Sequence, residues 1–288
     1  MIRVCLVGIG RTGVEIAKAI MEQNDLKLVA VVCSPGSDKI GKDLGEFIGL
    51  SPIGNTIESS EHLEQVVFRT QPDVVVDFSH PDATMKNARI FAKMKVNMVI
   101  GTTGFSKIAI KKFLVLSRKY HAGILYAPNI TLGVNVLMLL TNLAAKMLNS
   151  YDFHVTEIHH KYKKDAPSGT AVKIAAEIEK GLGSSGLAVS QTDIPINAVR
   201  AGGVIGKHEV MIIGEDDKVE ISHESFSRKA FALGAIKGIR FVNGKSGYFE
   251  MNDVLDLERV FKDYLEGIPS YLSKKRPQYY NTRCIVGS

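Results

Sequence analysis

Six residues near the start of the chain, Gly8-Ile9-Gly10-Arg11-Thr12-Gly13, restrict its folding more than any other segment. They follow an apolar run at 2–7 and precede Val14, Ile16, Ala17, Ile20 and Met21, which have helical spacing. A tight turn from strand to helix asks for glycine, and the third glycine brings helix against strand. The helix then offers unpaired N–H groups to an anion at its start. A second apolar run, 26–33, ends about 20 residues further on, the spacing of a dinucleotide-binding strand–helix–strand unit.

Further apolar runs bounded by turn residues lie at 73–78, 97–100 and 123–127, with helical spacing between several of them, as at Ile108, Ile110, Phe113 and Leu114. Strands rich in Val and Ile, separated by helices, predict a parallel sheet covered on both faces, the doubly wound Rossmann pattern of an α/β chain. A long helix is expected over 133–148. Strand-like runs follow at 153–159, 196–200, 210–213 and 219–223, with one helix among them at 170–182, from Pro167-Ser168-Gly169 to a stop at Gly183. Many strands with little helix predict a second α+β domain with a mixed or antiparallel sheet. Later helices are expected over 228–239 and 253–265. Residues 181–191 are Gly/Ser-rich and predict a loop. The tail from Gly267, with Lys274-Lys275-Arg276 and Tyr279-Tyr280, predicts a solvated or lightly docked segment.

The net charge of +6 does not by itself predict nucleic-acid binding, because aromatics are only 7% and Trp is absent, leaving little to stack on bases. Attraction of small anions is the milder reading. Cys5, Cys33 and Cys284 have no metal-type or disulfide-framework spacing, and Cys5 and Cys33 sit in apolar runs as core residues. No secretory segment precedes Gly8. The longest apolar stretch, 132–148, is interrupted by Asn135, Thr141, Asn142 and Lys146, which disfavours a membrane span. A cytoplasmic protein with no membrane or nucleic-acid partner is expected.

The second strand ends Cys33-Ser34-Pro35, where a carboxylate would bind the ribose hydroxyls of NADH. Without it a 2′-phosphate is not repelled, and Ser34, Arg11 or Lys39 can meet it; this favours NADPH, with NADH as the other candidate. Gly101-Thr102-Thr103-Gly104, Ala127-Pro128-Asn129-Ile130 and Asp77-Phe78-Ser79-His80-Pro81 also follow strand runs, on the edge that lines the ligand crevice. Chemistry is densest at Glu157-Ile158-His159-His160-Lys161-Tyr162-Lys163-Lys164-Asp165-Ala166-Pro167-Ser168-Gly169-Thr170. Two histidines and three lysines make a cationic site able to move a proton. Ser168-Gly169-Thr170 opens a helix whose N–H groups can hold a carboxylate. Adjacent His159 and His160 point to opposite faces of a strand, so no shared metal ion is expected. Arg200 and Arg228 are two further cations able to close the pocket.

At these residues the chain resembles the dihydrodipicolinate reductase (4-hydroxy-tetrahydrodipicolinate reductase) family of lysine and diaminopimelate synthesis. EIHHKYKKDAPSGTA at 157–171 carries the resemblance, with GIGRTG at 8–13, VVDFSHP at 75–81, VIGTTGF at 99–105, APNITLGVN at 127–135, RAGGVIGKHEV at 200–210, ISHESFSRKAFALGA at 221–235 and GYFEMNDVLDL at 247–257. The resemblance implies reduction of a cyclic dicarboxylate imine by NAD(P)H. It implies His159 as proton donor or acceptor, Lys163 as proton donor, and His160, Lys163, Ser168, Gly169 and Thr170 as substrate-binding. Gly8, Ile9, Gly10, Arg11, Thr12, Gly13, Gly101, Thr102, Thr103, Ala127, Pro128, Asn129 and Ile130 would hold the nucleotide, beside Ser34, which the end of the second strand itself suggests. It implies a dinucleotide-binding domain over 1–131, completed by 241–288, and a domain over 132–240 for substrate binding and assembly into a homotetramer. About 30 residues continue past Leu257, with Tyr264, Leu265, Tyr271 and Leu272 as contact candidates. Alternatives are an NAD(P)-dependent diamino-acid dehydrogenase of the same fold, or a non-catalytic nucleotide-sensing protein.

Overall fold

The structure, a computed structural model, describes residues 1–184 and 194–267. In chain order it contains β1 (Ile2–Val7), α1 (Arg11–Met21), β2 (Leu26–Cys33), α2 (Leu44–Phe47), β3 (Ile57–Ser59), α3 (Leu63–Thr70), β4 (Val74–Asp77), α4 (Pro81–Lys93), β5 (Asn97–Ile100), α5 (Lys107–Tyr120), β6 (Gly123–Tyr126) and α6 (Leu132–Met147). Then come β7 (Asp152–His159), α7 (Gly169–Ser184), β8 (Ile196–Arg200), β9 (Gly206–Ile213), β10 (Lys218–Ser225), α8 (Lys229–Val242), β11 (Gly247–Phe249), α9 (Met251–Leu255) and α10 (Leu257–Glu266).

Seven strands form one parallel sheet in the order β11-β6-β5-β4-β1-β2-β3. Alternate residues of each strand face opposite sides, so both faces need cover. Val4, Leu6, Val74 and Val76 pack under α1 and α8. Cys5, Val7, Val75 and Met98 pack on the other side with residues of α3, α4 and α5. The second sheet is mixed, in the order β10-β9-β7-β8, with only β7 and β8 parallel. A parallel pair needs a crossover, and α7 lies in that crossover. With α6 it covers the inner face of this sheet, where Val155, Ile174, Ile178, Val210 and Ile212 are fully buried.

Three expectations change. The helix expected to stop at Gly183 runs on to Ser184, which shortens the expected Gly/Ser loop. Gly181 serves close packing there, since a Cβ on it would lie 2.7 Å from the Ala145 methyl of α6. The single helix expected over 253–265 is two, α9 and α10, broken at Asp256 in the left-handed conformation (φ 52°), which Asp tolerates better than most residues. α8, expected in the second domain, packs on α1 and the seven-stranded sheet. Residues 185–193 and the tail with Tyr271, Leu272, Lys274–Arg276, Tyr279-Tyr280 and Cys284 lie outside the described residues.

Met1–Val254 form one compact unit that holds both sheets, and Leu255–Ser288 group separately. In the latter, α10 carries the ion pair Lys262–Glu266 at 3.7 Å, with Val260 and Tyr264 exposed. Among the described residues no helix is long and apolar enough to cross a membrane.

One buried side chain ties the seven-stranded sheet to α8. Asn97 donates to the Val242 carbonyl and accepts from the Gly123 amide, both at 2.8 Å. Asn97→Ala strands the buried Gly123 N–H, at about 1–3 kcal/mol, while the Val242 carbonyl keeps the Lys245 amide at 3.0 Å. Urea unfolding of this variant is expected to show a stability loss of about 1–3 kcal/mol; an unchanged midpoint would contradict the assignment.

Candidate active site

The glycine-rich turn has the geometry its sequence asks for. Gly8 sits at φ +95°, and a Cβ there would meet the Phe78 carbonyl oxygen at 2.3 Å. A Cβ on Gly13 would meet the Gly8 carbonyl oxygen at 2.0 Å, so β1 and α1 are in backbone contact. At Gly10, by contrast, a Cβ would find no atom within 4 Å, and α1 starts there with no side-chain cap. The unpaired amides of α1 therefore face open space of the kind a phosphate takes. Arg11 lines a cleft of about 490 Å³ with Ile205, Phe226 and Arg228, which places Arg228 beside the dinucleotide turn.

At the end of β2, Ser34 is exposed and Asp38 pairs outward with Lys42 at 3.8 Å. Lys39 turns inward instead, its ammonium donating to the Ile9 carbonyl at 3.0 Å. The strand end thus presents a cation, not a carboxylate, next to the glycine turn.

Asp77, at the end of β4, sets the next two loops. Its Oδ1 lies 2.6–3.0 Å from the Ser79 amide and the hydroxyls of Ser79, Thr84 and Thr102. Burial raises the Asp77 pKa against these hydrogen bonds. Thr102 is buried, so its hydroxyl holds the 101–103 loop, while Thr103 is exposed. After β6, Ala127 and Ile130 are buried, and Asn135 fixes the turn by donating to the Asn129 carbonyl at 2.7 Å. Asn129 Oδ1 accepts from the Thr170 hydroxyl at 3.0 Å, which joins the loop of the first sheet to the start of α7.

The second sheet gathers a charged cluster by register. Glu157 stands opposite His208 on β9, and His159 opposite Arg200 on β8. Residues two apart on a strand share a face, so all four converge. Glu157 is fully buried, and its Oε1 accepts from Arg200 at 2.7 Å and from the Ser168 amide at 2.9 Å. Its Oε2 is in ion-pair contact with His159 Nδ1, and neither atom has another hydrogen-bond partner among the described residues. Burial works to raise the Glu157 pKa, but Arg200, the Ser168 amide and His159 hold it below the ordinary value. Burial lowers that of His159; Glu157 opposes the shift, while Lys163 and Arg200 add to it. Burial and neighbouring His159 lower that of His208 to about 4, so His208 is neutral.

Glu157, His159 and His208 each bring one ligand-type atom within 4.8 Å of the others. Arg200 already occupies the carboxylate, and its guanidinium would repel a cation. The geometry is that of an ion pair with a neutral histidine beside it.

Ser168 caps α7: its hydroxyl accepts from the Ala171 amide at 3.2 Å and lies 3.4 Å from His208 Nε2. Its polar groups are thus committed within the chain. Gly169 and Thr170 stand in the first turn, where amides have no partner within the helix. Lys163 pairs with Asp165 at 2.8 Å, and His160 is half-buried with its ring 6.4 Å from that of Tyr162.

Pro128, Asn129, His159, Thr170, His208 and His223 line one pocket of about 90 Å³, which shares Ile205 with the Arg11–Arg228 cleft. Four of these residues are expected from the sequence. His208 and His223 are not, and neither are the roles of Glu157 and Arg200. The Glu-x-His spacing is a visible signal for the pair, whereas cross-strand register is not legible in the sequence.

The comparisons with known proteins agree on one family. The model described as "Dihydrodipicolinate reductase, N-terminus" matches residues 2–130, and its C-terminus counterpart matches 133–255. A 4-hydroxy-tetrahydrodipicolinate reductase of Methanocaldococcus jannaschii is 36% identical over 272 residues, covering 90% of this chain and 99% of that protein. The dipicolinate-bound dihydrodipicolinate reductase of Paenisporosarcina sp. TG-14 superposes with TM-score 0.72 at 29% identity, covering 87% of this chain and 97% of that one. An amine dehydrogenase of Mycobacterium smegmatis, at 14% identity and TM-score 0.57 over 86% of this chain and 94% of its own, shares the fold alone. With both halves matched by the two models and nearly the full length of a relative aligned, this chain belongs to the dihydrodipicolinate reductase family.

Proposed function

We propose that this chain reduces a conjugated cyclic imine dicarboxylate of the dihydrodipicolinate type with NAD(P)H, in lysine and diaminopimelate synthesis. The observation that carries the reading is the small shared pocket. It sets Pro128 and Asn129, on the nucleotide side, against His159 and Thr170, on the substrate side.

The open space at Gly10 and the uncapped start of α1 fit a pyrophosphate. When bound there, a nicotinamide would supply a hydride to a carbon of the conjugated ring. The protein's own residues position the ring and manage the proton. The amides of Gly169 and Thr170 and the Lys163 ammonium receive the ring carboxylates, with His160 at the rim. Lys163 gives up Asp165 for the stronger bidentate charge of the substrate. Ser168 acts from behind, fixing the start of α7. The carbanion formed on the ring takes its proton from His159 or Lys163. His208, neutral and buried, adds no further charge to this step. The reading also takes the chain to be a homotetramer built through the second sheet.

NADPH is the favoured nucleotide, because Lys39 and Ser34 stand where a carboxylate would repel a 2′-phosphate.

Lys163→Ala is expected to lower turnover by about 10²–10⁴-fold, the range for a lost general acid, while nucleotide affinity measured by fluorescence titration stays put. Turnover equal to wild type would remove Lys163 from the mechanism. Lys39→Ala is expected to weaken NADPH binding about 10–100-fold, the loss of one charged hydrogen bond, and to leave NADH binding unchanged. Equal losses for both nucleotides would show that Lys39 supports the turn without reading the phosphate.

A further inference from the structure

His159 packs among elements of the second sheet. Its own strand contributes Glu157, β8 contributes Arg200, and β9 contributes His208 and Gly206; Lys163 follows β7, and His223 of β10 lines the same pocket. Asp165 pairs with Lys163 at 2.8 Å, whereas the carboxylate of Glu157 touches Nδ1 of His159 itself. The other ring nitrogen, Nε2, faces Gly206, where a Cβ would stand 3.1 Å away. A glycine at the start of β9 therefore leaves room at the one nitrogen that Glu157 does not hold. Glu157 is itself fixed, by Arg200 and by the Ser168 amide, so it cannot swing away with the imidazole.

We propose that Glu157 is the positioning residue of this site: its clamped carboxylate holds His159 through Nδ1–H, so that Nε2 is the atom that exchanges a proton with the ring. The hydrogen bond at one imidazole nitrogen decides which tautomer is present. In the step itself the Nε2–H bond breaks and its proton bonds to the ring carbanion. A neutral imidazole remains, with Nδ1–H still on Glu157, and solvent restores the Nε2 proton. Arg200 acts one step further out, by keeping Glu157 ionised. The inference rests on the reading of His159 as a proton donor.

Glu157→Gln removes the charge and keeps the shape. Because His159 must be protonated to donate, activity falls as pH rises through its pKa. An anion in contact favours the protonated form by about 1–3 pH units, so its loss should move the alkaline limb of the kcat profile down by about one unit or more. At pH 7–8, kcat should drop about tenfold or more, one pH unit being a tenfold change in protonated fraction, with KM for the ring held within about threefold. A merely structural role would lower thermal stability and leave the limb in place, and that result overturns the proposal. The tautomer gives a second test on the wild-type protein, which does not depend on the variant folding. Long-range 15N–1H spectra of histidine-labelled enzyme should show His159 protonated at Nδ1 when neutral; protonation at Nε2 overturns the proposal. His159→Gln separates the layers. If it keeps wild-type turnover and its alkaline limb, the proton-donor reading fails and this inference with it. If it loses both while Glu157→Gln leaves the limb unmoved, only this inference fails.

Discussion

The buried carboxylate of Glu157 is the interaction on which the second sheet and the start of α7 depend. Taking a carboxylate fully out of water costs several kcal/mol unless charge and hydrogen bonds replace the solvent. Here they come from three elements: the guanidinium of Arg200 on β8, the amide of Ser168 before α7, and the imidazole of His159 on β7 itself. Meeting the demands of one group thus sets the β7–β8 pair, the start of the crossover helix and the orientation of the histidine together. Removing one partner of such a pair leaves a charge uncompensated, typically at about 3–5 kcal/mol. The chain therefore has a stability reason, besides a chemical one, to keep the cluster whole.

The first sheet solves a different problem. Its ligand is large and anionic, so the protein supplies space and unpaired amides in place of side chains. Backbone contact between Gly8 and Gly13 brings α1 in close, and the open position at Gly10 leaves its start accessible. Asp77 then spends its hydrogen bonds on Ser79, Thr84 and Thr102, which fixes the loops after β4 and β5. The two solutions meet where Thr170 donates to Asn129, the link that holds the loop after β6 against the start of α7.

Much of this is legible in the sequence where the strands are apolar runs between turn residues. β1, β2, β5 and β8 fall on the residues expected, because a strand buried or half-buried between turn residues writes its bounds in apolar side chains. β3 and β11 are three-residue edge strands, too short to leave such a trace. The break at Asp256 has no glycine or proline to announce it. Nothing in the local pattern of α8 tells which sheet it covers; only its packing on α1 does. For the site, the residues from Glu157 to Thr170 stand together in the chain and are visible as chemistry. Arg200 and His208 join them through cross-strand register, a long-range property that residue order does not carry.

The two sheets together serve one reductase reaction. The most direct test is nucleotide oxidation by the purified chain while a coupled synthase feeds in the unstable cyclic imine, with NADPH and NADH followed in parallel. Rapid oxidation that depends on the ring substrate and is faster with NADPH is the expected result. Nucleotide that binds but is not oxidised when the ring is supplied would contradict it.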